Sequence, residues 1–129
     1  MLNNKGQTLA LFVIVLPVLL LILILVIDFG KIMTLKQELT NISNIVLDYG
    51  LDNLDKENLD IELVELIKLN KSDIDYMNVY LEKDKIYVEM SENSDSVFAE
   101  IVDISIFKVK TSYVGYIKDN KKRIERMGD

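Results

Sequence analysis

The chain reads as an α+β protein. A long N-terminal helix, transmembrane in its first half and amphipathic in its second, precedes a second helix and a small antiparallel β-sheet packed on the long helix. Three patterns predict this. Leu9 to Ile27 are nineteen consecutive apolar residues, LALFVIVLPVLLLILILVI. Beyond them, apolar residues recur at spacings of three and four. From Tyr76 onward the apolar period falls to two, the signature of half-buried strands.

The apolar run comes first. At about 1.5 Å of rise per residue it makes a helix long enough for a hydrocarbon core of roughly 30 Å. A secretory signal has a shorter apolar region, about 7–15 residues, and a small-x-small cleavage site. Here the run is longer and leads into Asp28-Phe29-Gly30-Lys31. The chain that follows, about 100 residues, is too small a domain to enclose a helix that is apolar on every side. The run therefore reads as a retained membrane span. Pro17 lies inside it and deprives the Val13 carbonyl of a helical partner, which predicts a mild kink that membrane helices tolerate. Few basic residues flank the span: Lys5 before it, Lys31 and Lys36 after it. The short arm before the span argues for a cytoplasmic N-terminus. The expected layout is a cytoplasmic arm over residues 1–8, a transmembrane helix over 9–27 and an extracytoplasmic domain over 28–129.

Ile32, Leu35, Leu39, Ile42, Val46 and Tyr49 continue one helical stripe with heptad spacing. The stripe reads as intramolecular core rather than an oligomer seam, and Gly50 as the natural helix end. Gly30 sits mid-helix at the membrane exit and marks a flexible point. Leu51 to Lys56 reads as a turn. Glu57 to Leu69 carries Leu59, Leu63, Leu66 and Ile67 at helical spacing. Ile61, Val64 and Leu69 widen that face and predict a largely buried second helix. Asn70 to Asp73 is the next break. Met77, Val79 and Leu81 then share one strand face, and Ile86, Val88 and Met90 share another over Lys85 to Ser91. Lys83-Asp84 stands between them at a two-residue hairpin position. Ser91 to Ser96 reads as a polar loop and Val97 to Ile104 as a short helix. Alternation returns from Ser105, with Phe107, Val109, Thr111 and Tyr113 on one face. Lys118-Asp119-Asn120-Lys121 is a turn, and Arg123 to Met127 a short closing strand. An antiparallel sheet with one apolar face needs a cover, and the stripe from Ile32 to Tyr49 has the length to provide it.

Composition narrows the function. From Asp28 onward there are 14 basic and 21 acidic side chains. That balance argues against a nucleic-acid partner and against docking on anionic lipid. The basic cluster Lys118, Lys121, Lys122, Arg123 and Arg126 is diluted by Asp119, Glu125 and Asp129 and reads as a solvated hairpin end. The chain has no histidine and no cysteine, hence none of the commonest general bases and no thiolate ligand or disulfide. No enzyme, no cofactor, no metal site and no small-molecule substrate is expected. Asp28-Phe29-Gly30 spells a kinase magnesium motif, but no glycine-rich loop or His-Arg-Asp accompanies it. Asp28 reads instead as the membrane boundary. Asp52, Asp55, Glu57, Asp60, Glu62 and Glu65 lack the glycine turn and ligand order of a calcium loop and read as a solvated acidic face. Asn41-Ile42-Ser43 and Asn70-Lys71-Ser72 are short sequons without further support. Tyr87, Tyr113 and Tyr116 are assigned to sheet packing.

The N-terminal residues carry a resemblance. Lys5-Gly6, then Gln7 to Phe12 and the apolar run, look like a prepilin leader with a processing site between Gly6 and Gln7. Gly6-Gln7, Phe12, Val15-Leu16-Pro17 and Ile27-Asp28-Phe29-Gly30-Lys31 resemble the N-terminal signature of the TadE/TadG-like family, pilin-like proteins of tight-adherence (Flp-type) pilus assembly. The resemblance covers about the first 31 residues. It implies a pilin-like fold, a cytoplasmic N-terminus, cleavage after Gly6 by a prepilin peptidase, and other pilin-like membrane subunits and the lipid bilayer as partners. The family usually carries a glutamate five residues after the processing glycine. Here that position is Leu11, which implies a minor or assembly-associated subunit rather than a major pilin. The other reading of the same residues is a signal-anchored, single-pass membrane protein whose small exported domain binds a ligand or partner.

Overall fold

The computed structural model describes residues 4–102 and 107–127. The first helix, α1, runs from Asn4 to Asp52, 49 residues without interruption, or roughly 70 Å. It passes through Pro17 and through Gly30. It also passes through Gly50, so that glycine is not the expected helix end. A Cβ on Gly50 would lie 2.6 Å from Ile86 Cδ1 and 3.1 Å from Leu63 Cδ1. At Gly50, α1 thus comes close to its neighbours, and the position needs a missing side chain rather than a left-handed backbone. The helix ends two residues later, at Asp52. Asn53 donates its backbone N–H to the Gly50 carbonyl at 3.0 Å and its side-chain amide to the Tyr49 carbonyl at 2.8 Å, satisfying carbonyls that the last turn leaves open.

Asn58, left-handed at φ 57°, turns the chain into α2, Leu59–Asn70. Leu59, Leu63 and Ile67 are buried, with Val64 and Leu66 packed beside them. Ile61 is 57% exposed and Leu69 84%, so α2 is not largely buried as its composition predicts. Among the described residues it packs on α1 and β1, and no described element covers its far side.

The sheet is a four-stranded antiparallel meander in the order β1-β2-β3-β4. Its strands are β1 Tyr76–Glu82, β2 Lys85–Ser94, β3 Phe107–Lys118 and β4 Lys121–Arg126, with a short helix α3, Val97–Val102, between β2 and β3. Both two-residue hairpins form where expected. Lys83 and Asp84 have φ 51° and 63°, and Asp119 and Asn120 have φ 54° and 62°, the paired left-handed residues that match the twist of a two-residue hairpin. β2 continues through the polar segment read as a loop, because Ser91 to Ser94 pair with Lys110 to Phe107. Polar side chains do not stop a strand whose backbone has a partner. The expected end of α3 at Ile104 and start of β3 at Ser105 lie outside the described residues.

The second half of α1 lies across one face of the sheet. Of the predicted stripe, Leu39, Ile42 and Val46 are buried, and Ile32, Leu35 and Tyr49 are partly buried at its edge. Leu47 and Leu51 join the core, because α1 packs on the sheet from one side and on α2 from another, which a single stripe cannot serve. Ser43, fully buried, donates to the Leu39 carbonyl at 2.9 Å and so satisfies its hydroxyl within the helix. Ile86, Val88, Met90 and Val109 face α1 from the sheet. Gly115 on β3 lets the helix press close: its Cβ would stand 3.2 Å from Leu47 Cδ2 and 3.3 Å from Leu51 Cδ1. Tyr113 points inward and shares a 3.0 Å hydrogen bond with Thr40. Tyr87 packs across strands on the outer face, stacked on Tyr80 with centroids 4.7 Å apart, and on that face Lys85 lies 5.2 Å from the ring of Tyr116.

The contact at Gly50 makes a direct prediction. Gly50→Val forces a branched side chain into Ile86 and Leu63, and overpacking of this kind costs about 1–3 kcal/mol. Thermal unfolding of the full chain in detergent should show a lower Tm; an unchanged Tm would mean that α1 does not approach β2 and α2 this closely.

Candidate functional site

The apolar run in the first half of α1 is exposed. Its most apolar 18-residue window has a mean hydropathy of 3.6, and none of that window is buried. This makes α1 a candidate membrane span. Gly6 and Gln7 lie in its first turns, and just beyond them Thr8 donates to the Asn4 carbonyl at 2.7 Å. Leu11 and Phe12 are about as exposed as the rest of the run.

The pattern changes at Asp28. Only 4% of this residue is exposed, although it directly follows the apolar run. Its carboxylate reaches the start of α3. One oxygen, Oδ2, accepts from Ser96 Oγ at 2.7 Å and from the Phe98 N–H at 2.9 Å; the other, Oδ1, accepts from the Val97 N–H at 2.8 Å. The first N–H groups of a helix have no partner within it, and a carboxylate there satisfies them and complements the positive end of the helix. Asp28 therefore caps a helix distant in sequence, and so ties the end of the span to the sheet domain. It is more than a marker of the membrane boundary. Its neighbours differ: Phe29 is 65% exposed, and a Cβ on Gly30 would meet nothing within 4 Å. Aspartate, phenylalanine and glycine thus divide into one inward anchor and two outward positions. Asp28 was singled out in the sequence, but its partners were not. A serine just before a short apolar helical segment is a cap signal, yet nothing local says that the cap is completed by a residue so far upstream.

Three more polar links hold the domain on α1. Lys122 on β4 bridges Asp52 at 2.7 Å and Asp48 at 3.0 Å. This lysine of the basic cluster is thus a strut between β4 and α1, not part of a free solvated end. Lys71 gathers Asp73 at 3.3 Å, Glu92 at 3.4 Å and Glu38 at 3.5 Å, joining the end of α2 to β2 and α1. Burial pulls the Lys71 pKa down, but these carboxylates outweigh it and hold it above the ordinary lysine value. Glu92 is pushed up instead, because its burial outweighs its attraction to Lys71; the cation gains more from the cluster than this carboxylate does. Third, the Tyr49 hydroxyl donates to Glu62 on α2, and Lys56 pairs with Glu62 at 3.3 Å. The Tyr49 hydrogen bond is the main reason that Glu62 is held below the usual carboxylate range. Two members of the acidic run, Asp52 and Glu62, are thus taken up by structure. Among the described residues no group of three histidines, cysteines, aspartates or glutamates is placed to hold a metal ion.

A long exposed apolar helix, anchored at its exit by a capping aspartate, is the arrangement at the signature residues. Residues 6–44 match the family model of TadE-like proteins. The match begins at Gly6, takes in Leu11, Phe12, Pro17, Asp28, Phe29 and Gly30, and extends past Lys31 into the domain-facing half of α1. α2 and the sheet lie outside it. Comparison with curated proteins returned no match, and comparison with solved structures returned none. The TadE-like segment supports a pilus-related protein with an N-terminal apolar helix, as the resemblance implied.

Two outcomes are expected from these contacts. Asp28→Asn puts an amide where two N–H groups need an acceptor, and a lost buried acceptor costs about 1–3 kcal/mol. Hydrogen exchange at the Val97 and Phe98 amides should quicken while the Val88 and Met90 amides keep their protection; equal exchange at all four would remove the capping role. The Lys71 pKa is raised in the folded chain, so its stabilising share is fully present below the unfolded lysine value of 10.5 and is lost as pH rises through the raised value. Melting temperatures followed into that alkaline range should fall less steeply in Lys71→Gln than in the parent chain.

Proposed function

We propose that this chain is a minor, pilin-like (pseudopilin) subunit of a bacterial tight-adherence pilus or a related secretion system. The observation that carries the reading is the TadE-like match over residues 6–44, lying on a helix that buries only its second half. The protein acts as a structural and assembly element, not as an enzyme. Leu9–Ile27 sits in the cell membrane and packs laterally against similar spans, the N-terminus is cytoplasmic, and the domain from Asp28 onward is extracytoplasmic.

Two features support an assembly role. The stripe from Leu39 to Val46 is consumed by the chain's own sheet and α2, so the long helix offers neighbours its apolar first half and the outward Phe29 and Gly30. In a membrane, helices associate through close packing, and a small residue such as Gly30 permits close approach. Leu11 occupies the position where the family usually carries a carboxylate, which favours a minor subunit over a major one. A prepilin peptidase is the expected processing partner, cutting between Gly6 and Gln7.

N-terminal sequencing of the membrane-extracted protein, coexpressed with a prepilin peptidase, tests the processing step. A start at Gln7 is expected; a retained Met1 to Gly6 would count against processing. Replacing Leu9–Ile27 by an unrelated span tests the assembly helix itself. Pilus assembly should fail in that chimera, and intact assembly would favour a simple signal-anchored binding protein.

A further inference from the structure

We propose that the membrane-proximal end of the domain holds the phosphate of an anionic lipid headgroup. A groove of about 510 Å³ opens between the lower amphipathic part of α1 and the near ends of β3 and β4. Lys36, Lys108, Lys110 and Arg126 line it over a floor that includes Ile32, and Glu89 is the one carboxylate among its described lining residues. Among the described residues, none of these four cations enters an ion pair or a hydrogen bond, whereas Lys56, Lys71 and Lys122 are all paired elsewhere.

The chain carries a formal net charge of −6, which by itself argues against an anionic surface. Asp48, Asp52 and Glu62 lie at the far end of α1 or on α2, held by Lys122, Tyr49 and Lys56. Lys36, Lys108, Lys110 and Arg126 meet at the other end. Acidic residues stand at this end too, Asp28, Glu38 and Glu92 among them, but Asp28 is taken up by α3 and Glu38 and Glu92 by Lys71. Ile32 and Lys36 follow Ile27 by five and nine residues, hence about 7 and 13 Å along the helix axis. The polar headgroup layer extends roughly 5–8 Å beyond the hydrocarbon on each side, and the surface potential of anionic lipid reaches about one Debye length farther, roughly 8 Å. Long basic side chains extend toward that layer. The Asp28 clamp on α3 keeps this end of the domain against the span.

The inference rests on Leu9–Ile27 lying in a bilayer, and the experiment separates the two. The full chain is reconstituted in nanodiscs of equal phosphatidylcholine and phosphatidylglycerol, and native mass spectrometry counts the lipids that it retains. Phosphatidylglycerol should be enriched severalfold. Removing one cation should cost up to about fivefold, the order expected of a basic side chain at an anionic surface, so each of Lys36→Gln, Lys108→Gln, Lys110→Gln and Arg126→Gln, and the four combined, should bring the retained lipids toward the equal composition of the disc. The distal controls Lys118→Gln and Lys121→Gln should keep the enrichment, and Lys110→Arg should too. Circular dichroism of each variant checks folding. Equal retention of both lipids by the parent chain overturns the proposal, as does undiminished enrichment in the combined folded variant. Protection of the groove amides by millimolar inorganic phosphate without lipid enrichment would mean a free-phosphate site and overturn the lipid assignment. Cross-linking of these lysines to carboxylates of a second copy, again without enrichment, would make the groove a subunit contact. A chain that fails to enter the nanodiscs would overturn the membrane reading itself.

Discussion

A single helix, apolar on every side in its first half and amphipathic in its second, sets the terms for everything else. In hydrocarbon no water can hydrogen-bond a free backbone group, so a candidate span such as the apolar half of α1 suits a membrane only as a helix. In water the same helix is stable only if it buries an apolar face. α1 meets both conditions without a break across 49 residues. The side-chain pattern changes at Asp28 and the backbone does not. The sheet and α2 exist to cover what the second half of α1 cannot leave in water, and their core residues all belong to one cluster with it.

A domain built on one end of a long rod could swing about its attachment. Here it is held at several heights. Asp28 grips α3 at the end of the apolar run, Lys71 draws on Glu38 midway, and Lys122 braces β4 on Asp48 and Asp52 near the top. Exposed ion pairs are individually weak, so Lys122 adds direction more than stability. Asp28 differs in kind, because its partners are N–H groups that would otherwise go unsatisfied. A domain fixed in this way would pass force or displacement from the span to the sheet, which suits a subunit of an assembly.

The two halves of the TadE-like segment answer to different pressures. Positions in the apolar run face outward and are not used by this chain's own core. Positions from Leu39 onward answer to this chain's own sheet. Asp28, Phe29 and Gly30 stand at the border, one turned in and two turned out.

Much of this was legible in the sequence because it depends on period. The nineteen-residue run, the three-four spacing from Ile32 to Tyr49 and the alternation in the strands each bury one side of an element, and that requirement is local. So are the Lys83-Asp84 and Asp119-Asn120 turns. What period does not carry is the identity of the neighbour. Gly50 read as a helix end because glycine usually ends helices; only the approach of Ile86 and Leu63 makes it an interior contact. Ile61 and Leu69 read as buried because they are apolar, but no described element lies over them. Asp28 read as a boundary, and its three acceptor contacts appeared only when the chain brought Ser96, Val97 and Phe98 beside it. By itself the sequence determined the order of helices and strands, which apolar residues share a face and where the apolar run lies, since these follow from spacing along one chain. Tertiary structure decided which polar groups meet and how closely helix and sheet approach, because those depend on segments that are neighbours only in space.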